Sequence, residues 1–204
     1  MSGIADLAIC ILAGGASSRM GQNKAELRLS KQLTLLEEML SRFSCNKQLL
    51  VFSSGGKSCH GYPQVPDLFS SRLGPVAGIV SSILWLKQVH PEVQNCIFIP
   101  VDLAYLNYSD LSGLIRSNYE ITYFKDNPLP LKINISAAVQ QICIDMIYEL
   151  QHLSGYSVYK FIQKFKHHNE IENYNPHCLT NLNYFTDWEK YLNEYSFRSN
   201  DNPN

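Results

Sequence analysis

No stretch of this chain reaches the roughly 18 consecutive apolar residues that a membrane helix needs, so no such span is expected. The start, Met1-Ser2-Gly3-Ile4-Ala5-Asp6, lacks the basic opening and long apolar run of a secretory signal. An excess of one charge is missing too: 17 Lys+Arg stand against 18 Asp+Glu, for a net charge of −1. Broad nucleic-acid binding wants a basic face, which this balance does not supply, although a local basic pocket remains open. The six cysteines, at 10, 45, 59, 96, 143 and 178, form no CxxC pair. Cys10 and Cys96 fall inside strand-like apolar runs, so all six are expected as reduced thiols and the compartment as the cytoplasm. Neither His167-His168 nor His177-Cys178 has zinc-site spacing. No internal repeat and no long linker divides the 204 residues, of which 45% are hydrophobic, enough for one sizeable core. The expected organisation is a single domain over 1–195, with 196–204 as a flexible polar tail.

What is present is a regular alternation of elements in the first half. Leu7–Leu12 reads as a buried strand. Leu33–Phe43 carries apolar residues at 33, 35, 36, 39, 40 and 43, close to helical spacing. Gln48–Phe52 is a second short strand, Ser53-Ser54-Gly55-Gly56-Lys57 breaks it, and Gln64–Val65 is a short third. Ile79–Val89 reads as a helix. Cys96–Val101 reads as a buried strand that ends at Asp102. Such alternation predicts an α/β domain with a mostly parallel sheet and helices on both faces. In the second half Glu120–Phe124 and Ile133–Ala138 look like strands. Cys143–Leu153, Ser157–Lys166 and Phe185–Tyr195 look like helices, the last with Thr186 as its N-cap.

The chemistry concentrates after the first strand, in residues 12–29, LAGGASSRMGQNKAELRL. Gly14 and Gly15 allow unusual backbone angles and close approach of a ligand. Backbone N–H groups in such a turn bind phosphate oxygens. Arg19 adds a planar fork and Lys24 a mobile point charge, and the combination suits a nucleoside triphosphate. The loop is not a Walker A motif, because Gly21 is not followed by Lys, nor GxGxxG, because Gly14 and Gly15 are adjacent. Asp102 stands where ligands bind in open α/β sheets, beyond a strand's carboxyl end. It can hold Mg²⁺ between phosphate oxygens or cap a turn. Asp67 can accept from a base or sugar, or simply sit in a solvated loop. Gly74–Gly78 can admit a ligand or a strand, or open the next helix. Asn181 and Asn183 can orient a polar substrate or serve a turn and cap. Lys164, Lys166, His167 and His168 can form a solvated helix face or meet an anionic substrate.

Together these motifs resemble the molybdenum cofactor guanylyltransferases. The resemblance rests on LAGG, then Arg19-Met20-Gly21 and Lys24; on Gly74-Pro75-Val76-Ala77-Gly78; on strand-ending Asp102; and on Asn181-Leu182-Asn183 before an acidic helix start. It implies a three-layer α/β/α Rossmann-like nucleotidyltransferase fold and transfer of GMP from GTP to Mo-molybdopterin with release of pyrophosphate. By motif position, Leu12, Ala13, Gly14 and Gly15 would meet the nucleotide, with Ser53 and Asp67 also on the nucleoside. Arg19, Lys24 and Asp102 would be the catalytic set, with Asp102 as the Mg²⁺ ligand and Asn181 and Asn183 on the acceptor. The implied partners are GTP, molybdopterin or Mo-molybdopterin, and other molybdenum cofactor biosynthesis proteins, with no nucleic acid and no membrane. The chain departs from the family pattern at four places. Phe52-Ser53-Ser54 stands where an asparagine is usual, Asp102-Leu103-Ala104 replaces Asp-x-Pro, and Tyr184-Phe185 replaces Thr-Pro. Asp126–Lys132 lacks a common His-Pro pair. The competing readings are a cytidylyl or sugar-phosphate nucleotidyltransferase and a non-catalytic nucleotide-binding homologue.

Overall fold

The computed structural model describes residues 6–14, 21–45, 48–69, 73–152 and 156–200, the last three by backbone only. The chain runs β1 (Leu7–Leu12), α1 (Leu35–Phe43), β2 (Leu50–Ser54), β3 (Gln64–Val65), α2 (Pro75–Val89), β4 (Asn95–Pro100) and α3 (Ser112–Arg116). It continues with β5 (Ile121–Phe124), β6 (Asn127–Asn134), α4 (Ala137–His152), α5 (Val158–Ile162), β7 (His168–Ile171) and α6 (Phe185–Asn200). The seven strands form one sheet in the order β3-β2-β1-β4-β6-β5-β7. Only β6 runs against the others, pairing antiparallel with both β4 and β5.

β1 is buried along its whole length, and its side chains divide between two cores because a strand alternates faces. Leu7, Ile9 and Ile11 pack with α1, α3 and α6. Ala8, Cys10 and Leu12 pack with α2, α4 and α5. β4 divides the same way, with Ile97 and Ile99 on the first side and Cys96 and Phe98 on the second. The result is the expected three-layer α/β/α arrangement. The chain steps outward from β1 to β2 and β3, then returns through α2 to β4 on the other side of β1. β1 and β4 therefore flank the switch point, where doubly wound sheets bind ligands.

Several elements differ from the sequence reading. Of the expected strand Ile133–Ala138 only Ile133 and Asn134 are extended: β6 covers Asn127–Asn134, and α4 already begins at Ala137. Pro128 and Pro130 obscured β6, since proline is confined to edges and bulges. Here they fall in its first half, where the register with β5 shifts and the ladder is irregular. α5 stops at Ile162, and His168 lies in β7, so residues 164–168 do not form a helix face. Lys164 instead pairs with Glu149 of α4 at 2.7 Å. The last helix runs to Asn200, past the expected end at Tyr195, and residues 201–204 lie outside the described residues. Its start is held by Asp187 and not by Thr186: the Asp187 carboxylate accepts from the N–H groups of Asn183 at 2.9 Å and Tyr184 at 2.8 Å. Among the described residues, no helix is long and apolar enough to cross a membrane.

Candidate active site at the β1–β4 switch point

A cleft opens at the carboxyl ends of β1 and β4. It is lined by Leu12, Ala13 and Gly14 from β1, by Asn23 and Lys24, and by Pro100, Val101 and Asp102 from β4. The two sides are tied by the Val101 N–H, which donates to the Leu12 carbonyl at 3.1 Å, while Ala13 donates to Ser54 at 2.9 Å. Lys24 opens a short 3-10 turn, Lys24–Glu26, capped by Asn23. The Asn23 side chain accepts from the Ala25 N–H at 3.2 Å and donates to Glu26 at 2.8 Å. Buried Ala25 anchors this turn to the core, which fixes where the lysine stem leaves the backbone.

The Lys24 ammonium donates to Asp102 Oδ2 at 2.8 Å and to Asn183 Oδ1 at 3.0 Å. Both members of the ion pair keep a small opening to solvent, with side-chain exposures of 12% and 21%. Asn183 reaches this point because Asp187 holds its N–H and because Leu182 donates to the Asp102 carbonyl at 3.0 Å. Three chain segments far apart in sequence thus meet in one charged contact. Among the described residues, no group of three or more His, Cys, Asp or Glu is placed to cage a metal. One partly open carboxylate suits a hard cation that takes its other ligands from phosphates and water, so the donor set fits Mg²⁺.

The structure thus brings together Leu12, Ala13, Gly14, Lys24, Asp102 and Asn183. Asn181 is exposed, two residues before Asn183 in the chain. Arg19 and Gly15 lie outside the described residues. Ser53 is only 1% exposed and is not among the lining residues. Asp67 lies beyond β3, two strands out from β1, where it accepts from the Phe69 N–H at 3.1 Å. Gly74 and Pro75 open α2, and Gly78 is a packing position: a Cβ there would stand 3.0 Å from Ser54 Oγ and 3.2 Å from Leu12 Cδ2.

Two supporting glycines escaped the sequence reading. Gly14 is not itself in the left-handed region; Gly55 and Gly56 are, with φ of 72° and 73°. They turn the chain after β2 so that its backbone lies directly against Ala13 and Gly14. The available signal was the Gly-Gly pair placed immediately after a strand, in the layer next to the first glycine loop.

The sequence model of the MobA-like NTP transferase domain family matches residues 9–167. A molybdenum cofactor guanylyltransferase of Sinorhizobium fredii is 32% identical over 99 residues, which cover 47% of this chain and 45% of that protein. The match thus spans about half the length of that relative. Among solved structures, the molybdopterin-guanine dinucleotide biosynthesis protein A of Archaeoglobus fulgidus superposes with a TM-score of 0.63 at 17% identity, covering 93% of this chain and 98% of that one. The 2-C-methyl-D-erythritol 4-phosphate cytidylyltransferase of Thermus thermophilus superposes with a TM-score of 0.60 at 13% identity, covering 91% and 96%. Since a cytidylyltransferase shares the architecture, the fold alone does not choose a base. With the family model covering most of the chain and the charged cleft at the switch point, the chain belongs to the MobA-like NTP transferase domain family.

Proposed function

We propose that this chain is a Mg²⁺-dependent guanylyltransferase that moves GMP from GTP to the terminal phosphate of Mo-molybdopterin and releases pyrophosphate. The observation that carries the reading is the contact of Lys24, Asp102 and Asn183 beside the backbone of Leu12–Gly14. The acceptor phosphate oxygen attacks the α-phosphorus, a new P–O bond forms, and the bond to the bridging oxygen breaks with its electron pair leaving on pyrophosphate. The nucleophile is already an anion, so no strong general base is required. The work of the site is positioning and charge neutralisation. The backbone of Leu12–Gly14 faces the nucleoside, Lys24 offsets charge on the leaving group, and Arg19 extends the phosphate contacts. Asn183 holds Lys24 in reach of the cleft, and with Asn181 it faces the acceptor. Ser53 and Asp67, given to the nucleoside by motif position, are not among the cleft's lining residues and carry no step here. Asp102 would hold Mg²⁺, which would supply positive charge against the triphosphate. Delivery of the acceptor falls to other molybdenum cofactor biosynthesis proteins in the cytoplasm.

The test incubates the purified chain with Mg²⁺, molybdopterin-loaded acceptor and each nucleoside triphosphate, and reads pyrophosphate release. Release with GTP alone is the expected result. Release with CTP would move the chain to the cytidylyl class, and binding without release would make it a non-catalytic homologue. A single substitution sharpens the choice of base. Among the described residues, a Cβ built at Gly14 would meet the Gly55 Cα alone, at 3.9 Å, so Gly14→Ala fits the described backbone. An added methyl on a guanine-facing wall should lower kcat/KM for GTP relative to CTP by roughly tenfold. An unchanged ratio would remove Gly14 from base selection.

A further inference from the structure

Asp102 sits in a tight turn, with the Leu103 N–H donating to Pro100 at 3.1 Å. A second turn follows at once, in which the Leu106 N–H donates to Leu103 at 3.1 Å. No regular element carries this double turn, so its carbonyls need partners from elsewhere. Leu103 is satisfied within the turn, and Tyr105 accepts from the Asn107 amide at 3.2 Å. The other two carbonyls converge on one group: Arg42 Nη1 of α1 donates to Ala104 at 2.6 Å and to Leu106 at 2.8 Å. The rest of that guanidinium is locked. Nε donates to Glu38 at 3.0 Å, and Nη2 donates to Glu38 and to the Tyr191 hydroxyl of α6, the latter at 3.0 Å. Burial pushes the Tyr191 hydroxyl up to about 12, so it stays neutral and accepts.

A guanidinium fork fixed on both sides holds what it touches more rigidly than a surface contact does. We infer that Arg42 is a positioning residue for the Asp102 carboxylate, pinning the turn that follows it and so helping to set where it stands relative to Lys24. The inference rests on the reading of Asp102 as the carboxylate that serves the triphosphate, and it names a determinant of nucleotide affinity outside the cleft. Outer partners of this kind change metal affinity by about 10–100-fold when removed.

The second turn also supplies its own rescue. Ala104 is the residue after Leu103, the position of a β-turn where proline is favoured. Its N–H makes no hydrogen bond among the described residues. Proline there would stiffen the turn without the arginine. The experiment measures two quantities for Arg42→Lys, which keeps the charge but cannot span the contacts. One is Mg²⁺·GTP affinity by calorimetry; the other is amide hydrogen exchange at Leu182 and Leu106 in the ligand-free chain. Affinity should fall about tenfold and both amides should exchange about tenfold faster. Ala104→Pro in that background should recover most of both. Tyr191→Phe, which removes one bond but leaves the two carbonyl contacts, should lower the melting temperature and leave affinity and exchange at wild-type values. If Arg42→Lys does not fold, Ala104→Pro added to it restores a measurable chain. Wild-type exchange in a folded Arg42→Lys chain, or failure of the proline to recover it, overturns the inference. Faster exchange in a protein whose wild type does not bind Mg²⁺·GTP would instead overturn the reading of the site and leave the positioning intact.

Discussion

Asp102→Asn will lower pyrophosphate release by about a thousandfold, the upper range for removing one electrostatic group from a preorganised site, while the chain stays folded. The two halves of this expectation come from different contacts. The side chain is nearly isosteric, and its amide oxygen can still accept from Lys24. The backbone at this position is held without the carboxylate, through the bond from Leu182 and the turn from Leu103. The ion pair is largely withdrawn from solvent, with side-chain exposures of 12% and 21%, but asparagine keeps a hydrogen bond to Lys24, so the swap should cost about 1–2 kcal/mol. For a chain of this length that corresponds to a fall in melting temperature of about 2–8 °C. The functional half is large because neutral asparagine is a poor partner for a hard divalent cation beside a triphosphate. Steady-state turnover across a range of Mg²⁺ concentrations, with melting curves in parallel, checks both. Turnover within tenfold of wild type at saturating GTP would remove Asp102 from the catalytic set.

The parts of this site that could be read from the sequence are those written in local pattern. β1 and β4 are continuous apolar runs because both of their faces are covered, and two residues past each end stands a proposed site residue, Gly14 or Asp102. The alternation of strands and helices then places those ends side by side at the switch point. Lys24 was legible through its spacing from the same loop. What could not be read depends on contacts across the sequence. Asn183 was read as a candidate site residue, but not its contact with Lys24, 159 residues away, nor that of Arg42 with Ala104, 62 away. β7, His168–Ile171, is an edge strand with little apolar alternation, and β6 was hidden by two prolines at its irregular end. Asp187 was missed as a cap because it stands inside the helix and reaches back, the second half of a capping box without the first.

Gly55→Ala will be strongly destabilising, because two penalties coincide there. The residue has φ of 72°, where an L side chain costs about 1–2 kcal/mol. The added Cβ would also stand 2.8 Å from Gly14 N and 2.9 Å from Gly14 Cα. Those are backbone atoms, which no rotamer change can move aside. Either the turn after β2 must rearrange or the Ala13–Gly14 backbone must leave its place at the mouth of the cleft. We expect a loss of about 2–4 kcal/mol in stability, with GTP affinity reduced by at least roughly tenfold as the lining backbone shifts. Gly61→Ala separates the two penalties. Gly61 has φ of 84° and, among the described residues, nothing within 4 Å of its Cβ position, so it carries the conformational cost alone. Denaturant titrations of the two variants should differ by the steric part, and only Gly55→Ala should change GTP binding. Equal losses in stability together with unchanged GTP affinity would show that the close approach of the two loops does not shape the cleft.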